Sequence, residues 1–357
     1  MLPNTDSLYL KVKQQILTLI CGLPLESRIP TRNQLTEQFG VARTTIDRAI
    51  SELIGEGYLY ARIGSGTYVI SHGGHESASA TSSIWGFLLP SVTEFNFSEM
   101  IRSAEDVCNR EGINLILCNT DNDAEKQNRY IDQLLALKIS GLIAVPIYCC
   151  DLETMSRFDK ILQAGIKVVF CTRGIDFLPI PKVQTNDFYG AYIAVDYMLS
   201  RGYQRPAFIS KRMLKAVEER YCGYLSALYT HNLALDENLV CLNASSENKS
   251  AYDFMRSFLE LPEPPDSVFC FNDQTAIDVY RAIADAGLKV GKDIAVVGYD
   301  DTHACEELEP KLTSVRPPNY EIGRLASRTL LQMLKGVTIS NEQPVFLKPT
   351  LIPRESC

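Results

Sequence analysis

Two groups of residues in this sequence have types and spacings that could do chemistry. The first is Arg43-Thr44-Thr45, which opens a stretch where Ile46, Ala49, Ile50, Leu53 and Ile54 recur at helical spacing. An α-helix fits the DNA major groove and meets base edges with the exposed residues of its first turn. An arginine there can donate two hydrogen bonds to a guanine edge, and threonines can bond phosphate or touch a thymine methyl. The inward stripe leaves Arg48 on or near the solvent side of the same stretch. The second group follows apolar runs: Thr172-Arg173 after VVFC, Asn272-Asp273 after VFCF, and Asp300-Asp301 after IAVVGY. Short polar groups that converge on one place can hydrogen-bond a polyhydroxy ligand. Taken singly, each could instead cap the helix that follows it.

Elements to position these residues are legible on both sides. Tyr9, Val12, Ile16, Leu19 and Ile20 give a first helix. Thr31 with Gln34 makes a capping-box pattern for a second, which Gly40 breaks. The Arg43 helix is third and ends at Gly55 and Gly57. Residues 58–62 and 67–70 then read as two strands around Ile63-Gly64-Ser65-Gly66, a hairpin. This is the order of a winged helix-turn-helix. The wing glycines Gly64 and Gly66, with Ser65 between them, let backbone approach phosphates, and Arg62 is placed to enter the minor groove. From Ser83 onward, apolar strands alternate with amphipathic helices, starting with residues 85–89, 114–118, 142–145 and 168–171 and continuing through 207–209, 268–271 and 294–297. That alternation predicts parallel, doubly wound sheets covered on both faces, in one domain or two lobes, with ligands at the carboxyl ends of strands.

The expected division is a DNA-binding domain over 1–70, a flexible linker over 71–83 (SHGGHESASATSS) and a larger domain over 84–357. Net charge is −8, but residues 1–75 carry a net +1 and the remainder −9, which fits a DNA head on an acidic body. The eleven cysteines include no Cys-x-x-Cys pair, and the four histidines show no ligand spacing with them, so reduced core cysteines and no metal are expected. No apolar run approaches ~20 residues and no signal-peptide order opens the chain, so no membrane span and a cytoplasmic location are expected.

IPTRNQLTEQFGVARTTIDRAISELIGEGYLYARIGSGTYV resembles the GntR-family winged helix, matching it at Pro30, Leu35, Gly40, Val41, Arg43, Thr45, Ala49, Leu53, Gly57 and Gly64-Ser65-Gly66-Thr67. It departs at Asn33 and Asp47, where the family usually has arginine, and at Ala42, where it has serine. The resemblance implies that Thr31, Arg32 and Asn33 join the DNA-facing set. NLILCNTDNDAEKQNRYIDQLLALKISGLIAVP, VQTNDFYGAYIAVDYMLSRGYQRPAFI, FCFNDQTAIDVYRAIADAGLKVGKDIAVVGYDD and LTSVRPPNYEIGRLA resemble the LacI/GalR effector domain, related to periplasmic sugar-binding proteins. That likeness implies a two-lobed body with ligand contacts at Glu94, Asn96, Phe97, Thr172 and Arg173 in one lobe. Arg220, Asn272, Asp300 and Arg316 are implied in the other. GntR heads on LacI-like bodies are found in the arabinose-repressor class. The expectation is a homodimeric repressor of carbohydrate-utilisation genes, bound to a pseudo-palindromic operator and released by a sugar, without a cofactor. Three alternatives stand beside it: an enzyme, for which no nucleotide or nucleophile motif stands out; a sugar-binding module without DNA function; and a nucleobase or sugar-phosphate effector met by Arg173, Arg220 and Arg316.

Overall fold

Residues 5–24, 27–55, 58–62, 66–69, 83–147, 152–175, 177–211, 214–242, 249–341 and 343–357 are described by a computed structural model. The chain divides into two units, Met1–Thr81 and Ser82–Cys357.

In the first unit, helix α1 (Thr5–Cys21) turns Tyr9, Val12, Ile16 and Ile20 inward. Helix α2 (Arg32–Phe39) begins at Thr31, whose backbone N–H donates to Gln34 Oε1 at 2.8 Å, and ends at Gly40 with φ 64°. Helix α3 (Arg43–Gly55) buries Ile46, Ala49, Ile50 and Leu53 against α1 and α2. Strands β1 (Leu59–Arg62) and β2 (Gly66–Val69) pair antiparallel, with Arg62 opposite Gly66. Residues 27–29 lie along the other side of β2, where Ile29 N–H donates to Thr67 O at 2.9 Å and Val69 N–H to Ser27 O at 3.0 Å. The wing is thus tied to the segment that enters α2. Gly64 and Ser65 lie outside the described residues, as do 71–82 of the expected linker.

The second unit has two lobes. The first lobe runs through β3 (Ile84–Leu89), α4 (Phe95–Arg110), β4 (Asn114–Asn119), α5 (Ala124–Ala136), β5 (Gly141–Ala144), α6 (Leu152–Gln163), β6 (Lys167–Cys171) and β7 (Lys182–Thr185). The chain crosses into the second lobe through α7 (Asp187–Ser200), β8 (Pro206–Ile209), α8 (Lys215–Thr230), β9 (Val240–Cys241), α9 (Ala251–Leu259) and β10 (Ser267–Cys270). That lobe continues with α10 (Asp273–Asp285), β11 (Ala295–Tyr299), α11 (Ala304–Glu307) and β12 (Thr313–Arg316). Helix α12 (Asn319–Leu334) returns to the first lobe, packing Ile322, Ala326 and Leu330 with Trp85 and Phe87. Strand β13 (Val345–Leu347) joins the first sheet and β14 (Thr350–Ile352) the second. The sheet orders are β13-β7-β6-β5-β3-β4 and β14-β12-β11-β10-β8-β9.

Among the described residues, every strand pairing in the body is parallel except β12 with β14. Central strands such as Gly141–Ala144 and Pro206–Ile209 are buried at every position, as expected where helices cover both faces. The chain therefore passes between lobes three times, at Asn186, at Pro317-Pro318 and at Lys348-Pro349. Among the described residues, no helix is long and apolar enough to cross a membrane.

Candidate functional site

On the first unit, the start of α3 is open to solvent. Arg43 is 65% exposed, Thr44 is exposed and Thr45 half-buried. Thr31, Arg32, Asn33, Arg43 and Gly66 line one hollow of about 240 Å³ together with Arg28. The start of α2, the start of α3 and the base of the wing are thus brought together, and three guanidinium groups border the space. Gly66 sits at φ 128°, and a Cβ there would lie 2.5 Å from Arg28 Nε, so the wing backbone rests directly on that guanidinium. Arg48 is exposed, with its guanidinium 4.3 Å from the centre of the Tyr9 ring on α1. Arg62 is exposed at the end of β1. No local pattern in the sequence marks Arg28, because its place depends on strand-like pairing with β2 across forty residues of chain. Asp47, noted only as a departure, pairs with Arg32 at 2.6 Å.

On the second unit, backbone strain marks the ends of facing strands. Thr172, after β6, has φ 56°; Asp300 and Asp301, after β11, have φ 103° and 50°. Non-glycine residues adopt such angles at a cost, and they gather at binding sites. Contacts between the lobes close over the same region. The Phe95 ring of α4 meets His303 edge-on, with centroids 4.8 Å apart, and Asn96 lies close enough to Asp300 to favour its charged form. Asn96 Oδ1 also accepts from Asn319 Nδ2 at 3.1 Å.

Arg220 is the electrostatic centre of the second lobe's side. Its guanidinium donates to Asp187 Oδ1 at 2.8 Å and to the Phe271 carbonyl, and it lies 3.4 Å from the Tyr299 ring centre and 4.4 Å from that of Phe271. Both charges are buried, so removing either partner leaves the other uncompensated, at about 3–5 kcal/mol. Asp300 is pushed up to about 7, first by burial, with Arg220 opposing and Asp273 and Asp187 adding. Glu94, at the start of α4, is also raised by partial desolvation, with Arg173 opposing. Arg173 donates to the Pro146 carbonyl and to Asn122 Oδ1 at 3.1 Å. Thr172, Arg173, Gln184, Asp187 and Glu218 line an interlobe cleft of about 610 Å³.

Other expected contacts are already engaged. Asn272 caps α10, accepting from Thr275 N–H at 2.9 Å. Arg316 grips Asp301 through Nε at 2.6 Å and Nη2 at 2.5 Å, and Arg354 holds the other oxygen at 2.8 Å. Phe97 packs on the first lobe's core. Asp187, Tyr299, Phe271, Asn319 and Asn122 escaped sequence reasoning. Asp187 carried a signal, a carboxylate beside the helix-capping Asn186, but its partner lies 33 residues later. Among the described residues, no group of three metal-ligating side chains forms.

Comparison with known proteins bears on both units. A family model of bacterial regulatory proteins, gntR family, matches residues 5–69, and one of the periplasmic binding protein-like domain matches residues 195–357. The chain is 29% identical over 355 residues to the arabinose metabolism transcriptional repressor of Geobacillus stearothermophilus, covering 98% of this chain and 97% of that protein. It is 31% identical over 276 residues to the ribose operon repressor of Escherichia coli, covering 76% and 81%. The crystal structure of transcription regulator CcpA of Lactococcus lactis superposes with a TM-score of 0.68 at 25% identity, over 77% of this chain and 99% of that one.

Proposed function

Because this chain belongs to the transcriptional repressors built on a periplasmic binding protein-like body, here with a gntR-family head, we propose that it represses carbohydrate-utilisation genes and releases its operator when a sugar enters the cleft. Residues 1–70 bind DNA, 71–83 link, and 84–357 bind the effector and pair two copies in a cytoplasmic homodimer. Arg43, Thr44 and Thr45 read the major groove, with Thr31, Arg32, Asn33, Arg48, Arg62 and the wing residues 64–66 around them. Two heads on one dimer suit a pseudo-palindromic operator. The chain is a sensor and not an enzyme, in keeping with repressors as its relatives.

The observation that supports the sugar reading is the charge balance where the lobes meet, beside the cleft that Thr172, Arg173 and Asp187 line. Arg220 is paired with Asp187 and Arg316 with Asp301, while Asp300 and Glu94 are carboxyls raised by burial. A phosphate or carboxylate ligand there would meet these acids, with the buried Arg220 already paired to Asp187 and the exposed Arg316 to Asp301; the cations that line the cleft itself are Arg173, Lys182 and Lys215. An uncharged polyol can donate to Asp300 and Glu94 and accept from Asn96 and Arg173. The full-length relative named for arabinose metabolism makes pentoses the first candidates. Differential scanning fluorimetry against pentoses, hexoses, sugar phosphates and nucleobases tests the class, since a ligand of the native state raises the melting temperature. A gel shift on the DNA upstream of the chain's own gene, with and without the hit, tests release. A shift confined to phosphorylated or nucleobase ligands overturns the sugar reading.

A further inference from the structure

We infer that Asp47 is a specificity-determining positioning residue: a single carboxylate between the arginines that open α2 and α3 aims both guanidinium groups and holds the head back from arbitrary duplex. This rests on reading the head as a DNA-binding unit. Asp47 lies one turn beyond Arg43 on α3. Its Oδ1 accepts from Arg32 Nε at 2.6 Å, and its Oδ2 lies 3.8 Å from Arg43 Nε. Each oxygen thus faces a different helix. The side chains of Arg32, Asp47 and Arg43 are 37%, 44% and 65% exposed. Ion pairs this exposed add little to folding stability. What the bridge sets is the surface that the head presents.

Phosphate neutralisation is blind to sequence, so two unrestrained arginines at the groove face, with Arg28 beside them in the same hollow, would strengthen binding to every duplex alike. A carboxylate between them offsets that attraction and fixes the fork of Arg32. Binding then depends more on base edges, which Arg43 can engage through two donors and which the carboxylate's remaining lone pairs can engage at a cytosine amino group. At a wrong base, the same carboxylate is pressed against acceptors and penalises the complex. Asp47 therefore contributes discrimination at the expense of affinity.

The test uses the full chain. Wild type, Asp47→Asn, Arg32→Gln and the double variant are compared on a duplex selected by the wild type from a random library and on a scrambled duplex of equal composition. Fluorescence anisotropy is followed over a series of KCl concentrations. Asp47→Asn is expected to bind scrambled duplex several-fold more tightly with a steeper salt dependence, while the selected-over-scrambled ratio falls about tenfold. In that ratio, Arg32→Gln should share the loss and the double variant should add nothing to Asp47→Asn, as for residues acting through one bridge. Equal ratios and salt slopes in wild type and Asp47→Asn overturn the inference and leave the DNA-binding reading standing. Failure of the wild type to bind any duplex brings down that reading and this inference with it. Should Asp47→Asn fail to fold by circular dichroism, Arg32→Gln reads the same bridge from the other helix, and an unchanged ratio there is equally fatal.

Discussion

At the scale of single residues, the two sites differ in how firmly their charges are held. Arg43 stands exposed, its Nε 3.8 Å from Asp47 Oδ2, so its fork faces solvent where it can meet a guanine. Arg43→Ala is expected to weaken operator binding by ~1–3 kcal/mol and to relax sequence preference, read by anisotropy on matched and mismatched duplexes. Unchanged affinity would remove Arg43 from the groove. Asp300 is the opposite case, a carboxyl that burial lifts to about 7. The native state then keeps a proton that the unfolded chain has already lost, so stability falls as pH rises from the ordinary carboxyl range through about 7. Asp300→Asn removes that penalty. Its melting temperature should exceed the wild type's at pH ~8, with the gap closing by pH ~4, and a pH-independent difference would contradict the assignment. Both residues were legible in the sequence, Arg43 at a helix start and Asp300 at a strand end. The pairings that set their behaviour were not. Asp187 and Arg220 meet 33 positions apart, and only the crossing of α7 and α8 brings them together.

At the scale of elements, tight helix crossings fix where these side chains stand. Helix α8, which carries Arg220, meets α7, which carries Asp187, at Gly223. A Cβ there would lie 2.2 Å from the Phe188 carbonyl oxygen and 2.9 Å from the Tyr192 nitrogen, both backbone atoms that cannot swing aside. Gly223→Ala is therefore expected to destabilise the body by ~1–3 kcal/mol and to weaken effector binding by prising the ion pair apart, seen as a lower melting temperature and a smaller ligand shift. An unperturbed melt would mean the helices part at no cost. The central strands and helices of this region were legible because burial on both faces leaves unbroken apolar runs, as in residues 84–89. Strands β7, β9, β12, β13 and β14 were not. In β12, Thr313 and Ser314 are fully buried polar residues whose hydroxyls are satisfied by Arg354 O and by Asp273, contacts that no local pattern announces. Strands β13 and β14 are three residues each and half-exposed, too short for alternation to show.

At the scale of the whole molecule, the chain passes between the two lobes of the body three times, and the head is a separate unit. A ligand can move such a system only by binding one arrangement of the lobes more tightly than another. Asp300 faces the first lobe, near Asn96, so it is placed where a change in the approach of the two lobes is felt. Asp300→Ala should then retard operator DNA as the wild type does when no sugar is present, yet keep it retarded at sugar concentrations that release the wild type. The gel-shift titration distinguishes two failures. If the variant loses operator binding outright, the cleft supports the DNA-bound state itself, and the division between sensing body and reading head does not hold. If it still releases DNA at the wild-type concentration, the sugar does not act through Asp300. A retained operator complex with a lost response is the expected pattern, because the substitution would remove differential affinity between lobe arrangements and leave the DNA-facing residues unchanged.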